Sequence, residues 1–237
     1  MTRHTSTRTA RTAGTSRSRR GKIMAVLAGG AVIGLGTTAT LAAWTDTEWV
    51  FGGNADGTGP GVGTSAFEVE QNVDAVVTPA GFVQDETNPG QALTFGTAAL
   101  SLAPGDSVFA PVALRTVPDS VAGALTLEPA VAATGITAVD AGGLLWNALD
   151  VRVWVSEAAF TCDATTSAAT ADLVTEGALS APAAATTQQL GASGANIQHY
   201  CVEITLPEPT TAQEIIDMAD LQGRTVAPAW EFSAVSV

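Results

Sequence analysis

Residues that could carry catalysis or hold a metal ion are few in this chain. It has two histidines, His4 and His199, and two cysteines, Cys162 and Cys201. A catalytic zinc takes about three protein ligands, and serine catalysis would have to use His199 as its base. The motifs H-E-x-x-H and G-x-S-x-G, phosphate-binding loops and EF-hand loops are all absent from the sequence. We therefore predict no catalytic residue, no cofactor, no metal and no enzyme activity.

Carboxylates are the abundant chemical group, and their number argues against a specific role for any pair. Glu68 and Glu70 are spaced to share one strand face, as glycosidase carboxylates sometimes are. With 23 acidic residues in the chain, such a pair is expected by chance. Seven of the ten basic residues precede residue 44 and all the acids follow it, which leaves a formal charge of −20 from Trp44 onward. Such a surface repels nucleic acid and anionic lipid, so we expect neither as a partner.

The N-terminus has the three parts of a secretory signal. Residues 1–22 carry seven basic residues and no acid, an apolar stretch of small residues follows to Ala43, and a polar, acidic sequence begins at Trp44. We predict a signal peptide over 1–43 that signal peptidase cuts between Ala43 and Trp44, with Ala42 as the alternative. The stretch could also span a bilayer as a retained helix, but its glycines and threonines favour cleavage and no stable membrane insertion afterwards. The mature protein is then expected outside the cell.

Export bears on the two cysteines. In an oxidising compartment Cys162 and Cys201 are expected to pair. A disulfide between them would close a loop of about 40 residues. By the chain-entropy estimate, this adds roughly 4 kcal/mol to the free energy of unfolding. The competing interpretations are that both cysteines are free thiols or that they form half of a metal site. The sequence around the cysteines offers no further ligands for such a metal site.

The elements that position these residues are mainly strands. Period-two alternation of apolar residues is clear over 107–115, 150–156, 200–206 and 230–235, and weaker over 66–71, 75–78, 91–96 and 122–128. A capping box at Thr211 and Glu214 predicts one short crossover helix. The spacing of turn residues favours an all-β fold, an antiparallel β-sandwich or jelly roll. We expect the stretch 165–194, which lies between the cysteines, to be a long surface excursion with room for a short helix.

The start of the mature chain is unusually rich in aromatic residues. Thr45, Thr47, Trp49 and Phe51 would share one face of a strand, and the glycine-rich stretch 52–63 that follows predicts a flexible linker. The chain thus divides into 1–43, an N-terminal strand with linker over 44–63, and a sandwich domain over 64–237. An apolar strand on a tether either packs on its own domain or inserts into a neighbouring subunit as a donor strand.

Several short motifs resemble the TasA/camelysin family of exported Gram-positive proteins with a SipW-type signal peptide. They are the junction L-A-A-W-T-D-T-E at 41–48, G-T at 63–64, L-A-P-G-D at 102–106 and L-Q-G at 221–223. The resemblance implies a jelly-roll domain at the cell surface or in the biofilm matrix. It also implies that copies can polymerise into fibres by donating an N-terminal strand.

From these observations we expect a secreted structural protein, a fibre subunit whose partner is a second copy of itself. The alternatives are a monomeric surface binding module and, third, a secreted metalloprotease-like or other hydrolase. Camelysins have been described as metalloproteases, but this chain lacks a recognisable set of zinc ligands.

Overall fold

The computed structural model describes residues 47–180, 184 and 186–237. They belong to two compact units, with the boundary between Val62 and Gly63. The second unit, Gly63–Val237, which we call the body, is built mainly from antiparallel strands. These are β1 Val69–Asn72, β2 Ser107–Thr116, β3 Gly123–Leu127, β4 Val131–Ala132, β5 Asp150–Ser156, β6 Asp172–Ala178, β7 Gln188–Leu190, β8 Gln198–Thr205, β9 Pro228–Ala229 and β10 Phe232–Ser236.

Five strands form the larger sheet in the order β1-β2-β8-β5-β6, with every neighbouring pair antiparallel. Strand β8 lies at its centre, where it pairs with β2 along its whole length and with β5 from His199 to Thr205. The alternation seen in the sequence explains this position. Tyr200, Val202 and Ile204 are buried in the core from one face of β8, while Cys201 and Glu203 lie on the opposite face.

A smaller sheet, in the order β10-β3-β7, packs on the same core. Leu125 and Leu127 of β3 are fully buried in one cluster with the core residues of β8. The rings of Tyr200 and Phe232 meet edge to face with their centroids 4.9 Å apart, which joins β8 to β10 directly. Two antiparallel sheets sharing one core confirm the predicted β-class, and β4 with β9 forms a separate two-stranded ribbon.

Three short α-helices accompany the strands in the described part of the chain: α1 Leu144–Ala148, α2 Thr166–Thr170 and α3 Ala212–Ala219. The capping box predicted for α3 is confirmed, because the Thr211 side chain accepts from the Glu214 N–H and the Glu214 carboxylate accepts from the Thr211 N–H. Helix α3 rests on the body through Met218, whereas Ile215 and Ile216 are about 60% exposed.

The prediction of a surface excursion between the cysteines is wrong over much of its length. Residues 165–194 supply the edge strand β6 and strand β7 of the smaller sheet, in addition to the short helix α2. Their composition concealed this, because alanine, threonine and serine dominate and isolated residues such as Val174, Leu179 and Leu190 provide the burial. Two weak strand predictions, 75–78 and 91–96, are also wrong, since no strand forms there.

Each of the three arginines after residue 43 forms an ion pair. Arg115 Nε lies 2.6 Å from Glu70 Oε1 and its guanidinium stacks on the ring of Phe82 at 4.0 Å. The other pairs are Arg152 with Glu176 and Glu203, at 3.4 and 3.9 Å, and Arg224 with Asp140, at 3.1 Å. The surface of the body is therefore acidic, and each of its three arginines is already paired with a carboxylate of the same chain.

The Asp140–Arg224 pair is the one with the clearest structural consequence, because the Asp140 side chain is only 8% exposed. Its carboxylate also accepts from the Leu145 and Trp146 N–H groups at the start of α1. Burial raises the pKa of Asp140, but the hydrogen bonds from Trp146, Leu145 and Arg224 outweigh it. The pKa consequently lies below the ordinary value of 3.8.

Replacing Asp140 by Ala is expected to lower the free energy of unfolding at pH 7 by about 2 to 3 kcal/mol. It removes the acceptor of two N–H groups and leaves the charge of the largely buried Arg224 without a carboxylate, although the guanidinium still donates to the Asp220 and Ala141 carbonyls. A carboxylate with a lowered folded pKa stabilises above its unfolded pKa, and that stability disappears as the pH falls below 3.8 through the folded pKa. Urea titrations at several pH values measure both effects. Glu176→Ala is the control, since its pair with Arg152 is exposed on both sides and should contribute less than about 1 kcal/mol; an equal loss in both variants would contradict the prediction.

Candidate functional site

The described part of the predicted donor strand is residues 47–51, which form no regular secondary structure. Trp49, Val50 and Phe51 are 90%, 95% and 71% exposed. Three consecutive large apolar residues in water cost free energy that a binding partner would recover, at about 2 to 3 kcal/mol for each fully buried aromatic side chain. The segment 1–43, the cleavage residues Ala43 and Trp44, and Thr45 lie outside the described residues.

The glycine-rich stretch that follows forms a closed turn. The Asn54 N–H donates to the Gly59 carbonyl at 3.0 Å and the Gly61 N–H donates to the Gly52 carbonyl at 2.9 Å. The Asn54 side chain accepts from the Thr58 and Gly59 N–H groups and holds the tip. Gly61 is required by this geometry, because a Cβ there would collide with the backbone of Gly53. Residues 47–51 are therefore followed directly by a turn that its own hydrogen bonds hold in a fixed conformation.

The predicted disulfide is confirmed: Cys162 and Cys201 are bonded, 39 positions apart in sequence and with 5.2 Å between their Cα atoms. Cys201 is completely buried on the outer face of β8, opposite Pro111 and Trp154 of the two neighbouring strands. The bond therefore ties the 157–171 loop to the centre of the larger sheet, where it covers the outer face around Trp154.

The remaining residues singled out for chemistry are separated from one another. His199 is half-buried on β8, opposite Ala113 and Ser156, and burial lowers the pKa of its imidazole. Glu70 forms an ion pair with Arg115, and Glu68 accepts a hydrogen bond from the Gln84 amide at 2.7 Å. The described residues hold no group of three or more histidine, cysteine, aspartate or glutamate side chains placed to bind a metal ion.

A groove of about 670 Å³ beside α1 and α3 was missed by the sequence reasoning. Leu144, Met218 and Leu221 give it apolar walls, and Asp217 and Asp220 are among the acids that line it. Its volume is in the range of small-molecule sites. The signal that could have found it is the acidic spacing at 214, 217 and 220, which places one face of α3 along the groove.

No protein-family model matches this chain, and no curated protein matches it. Within the described ranges, no helix has both the length and the apolar character needed to cross a membrane.

Proposed function

We propose that the mature chain is a secreted structural protein of the cell surface or biofilm matrix whose copies assemble into fibres. Residues Trp44–Phe51 of one copy add as a strand to a neighbouring copy. The observation that carries this proposal is the exposure of Trp49, Val50 and Phe51 in a segment with no strand partner in the described structure. Backbone hydrogen bonds along a sheet edge would give such a strand affinity, and its aromatic side chains would add burial.

Three further features support the proposal. The motifs at 41–48, 63–64, 102–106 and 221–223 resemble the TasA/camelysin family, and the two sheets around one core fit that family's jelly roll. The internal disulfide suits an oxidising compartment outside the cell. Signal cleavage after Ala43 would free the donor segment, so assembly would begin only once the chain is exported.

The experiment that tests this function is electron microscopy of the secreted protein, combined with N-terminal sequencing and sedimentation. Filaments built from a chain that begins at Trp44 are expected. A protein that begins within the first 40 residues would refute the signal peptide. A correctly processed protein that stays monomeric at high concentration would refute the fibre.

A monomeric surface binding module is the second candidate, and the groove beside α3 is the observation that favours it. Dispersed particles together with saturable binding of a small ligand would support that function instead.

A further inference from the structure

The two main sheets end in four edge strands, and an added strand needs one of them to be open. These are β1 and β6 in the larger sheet and β7 and β10 in the smaller one. An edge strand is a template for another chain unless it is covered, twisted or charged. The four edges differ in each of these respects, which allows the acceptor to be identified.

The edge at β1 is already covered. The Gln71 N–H donates to the Val83 carbonyl at 2.8 Å, and the Val83 N–H donates back to the Gln71 carbonyl at 2.9 Å. This bridge lies in the middle of a strand of only four residues, Val69–Asn72. An incoming strand would have to displace it.

The edge at β7 is closed by a side chain. The Gly191 N–H donates to Asn196 Oδ1 at 2.6 Å, and Asn196 Nδ2 donates to the Gln189 carbonyl at 3.0 Å. An N–H and a carbonyl two residues apart point to the same side of a strand. Asn196 therefore occupies the two groups that a pairing strand would use, and Gln198 donates a further amide to Gln189.

The edge at β6 is charged and irregular. Asp172 and Glu176 lie within it, and its register with β5 shifts between Val153 and Trp154. The donor segment carries Asp46 and Glu48. Like charges on adjacent strands destabilise the pairing, so β6 would repel this donor.

Within the described residues nothing covers the outer edge of β10, and the strand itself carries no charged side chain, although Glu231 directly precedes it. It reads F-S-A-V-S, and in the described structure it has a hydrogen-bonded neighbour on one side only. The Glu128 N–H donates to the Glu231 carbonyl and the Val237 N–H donates to the Ala122 carbonyl, so the odd-numbered residues bond toward β3. In antiparallel pairing the backbone groups of Phe232, Ala234 and Ser236 then face the open edge.

The side chains at this edge match the donor as well. Phe232 and Ala234 face the core and are only partly buried, while Val235, on the outer face, is 65% exposed. A strand added here with Trp49 and Phe51 toward the core would extend the cover over Phe232. Alternation would then place Glu48 and Val50 on the outer face, which is also the face of Val235.

We infer that the open edge of β10 is the acceptor for the donor segment of a neighbouring copy, with Glu48 of that copy on the same face of the sheet as Val235. The inference rests on the proposed function. It would make the smaller sheet a four-stranded one in the fibre.

The test places opposite charges on the outer face of this edge in the full mature chain. Val235→Glu should raise the critical concentration for filament formation about three- to tenfold, because a second carboxylate would share the outer face of the new strand pair with Glu48. Val235→Lys should leave it within about twofold of the parent chain or lower it, because the pair becomes attractive. Leu173→Glu and Leu173→Lys, on the rival edge β6 at a side chain 48% exposed, are the matched controls and should have no such dependence on sign.

A second variant tests the backbone directly. Ala234→Pro removes an N–H that faces the open edge and spares the bonds to β3, so the subunit should keep its circular dichroism spectrum and lose filaments. Filaments that ignore the charge at 235 and respond to the charge at 173 would overturn the β10 assignment and leave the fibre standing. A parent chain that forms no filaments would overturn the proposed function itself, and this assignment with it.

Discussion

Mature protein that lacks residues 44–51 is expected to remain monomeric at concentrations at which the full mature chain forms filaments. The deletion removes Trp49 and Phe51, whose burial against a neighbouring copy would contribute roughly 4 to 6 kcal/mol together. At 1.4 kcal/mol for each factor of ten, the critical concentration should rise about a thousandfold or more. Sedimentation and electron microscopy measure this, and a circular dichroism spectrum checks that the body still folds.

Point variants show whether the segment acts as a strand with two faces. The pair Trp49→Ser with Phe51→Ser should approach the deletion, whereas Val50→Ser, on the opposite face, should change the critical concentration much less. A synthetic peptide of residues 44–51 should bind the deleted protein and, when added to the full chain, cap growing filaments. Equal effects from both faces would mean that the segment adheres through general hydrophobicity, which would contradict donor-strand pairing.

Replacing Cys162 and Cys201 by Ser is expected to lower the free energy of unfolding by about 4 kcal/mol, the largest stability effect we predict. The bond closes a loop between residues 39 apart, and losing it restores conformational freedom to the unfolded chain. It also frees the loop over Trp154 and leaves a hydroxyl at the fully buried position 201. Denaturant titrations of both proteins under non-reducing conditions give the difference.

Reduced parent protein is the control for that measurement, because it loses the bond and keeps the sulfur atoms in place. It should lie between the parent and the double variant in stability. Thiol labelling of the denatured, unreduced parent should find no free cysteine. Stoichiometric labelling, or a stability loss below about 1 kcal/mol, would refute the structural role of the bond.

The parts of the fold that could be predicted are those in which one residue in two is large and apolar. Strand β5 was predicted at 150–156 and occupies Asp150–Ser156, because its valines alternate with polar residues. Strands β2 and β8 were found for the same reason. The helix α3 was found because its capping box is a local signal that needs no tertiary contact.

Other parts depend on contacts that leave no local pattern. Strand β7 has three residues, two of them glutamines, and is ordered by its pairing with β3. Conversely, Leu93 and Phe95 pack against the core from a segment without strand pairing, so their alternation was misleading. The donor segment could be proposed from the sequence, but the choice of edge could not. That choice depends on Asn196 and Val83 lying against the edges of β7 and β1, and no pattern in the sequence shows these contacts.

The scarcity of cations in the body has a consequence for chemical labelling and proteolysis. Lys22 is the one lysine in the sequence, so a chain that begins at Trp44 has a single primary amine, its own N-terminus. Trypsin would find three arginines, and two of these have side chains less than 20% exposed. The folded protein should therefore resist tryptic digestion, and an amine-directed fluorophore would attach at the first residue of the segment proposed to join one copy to the next.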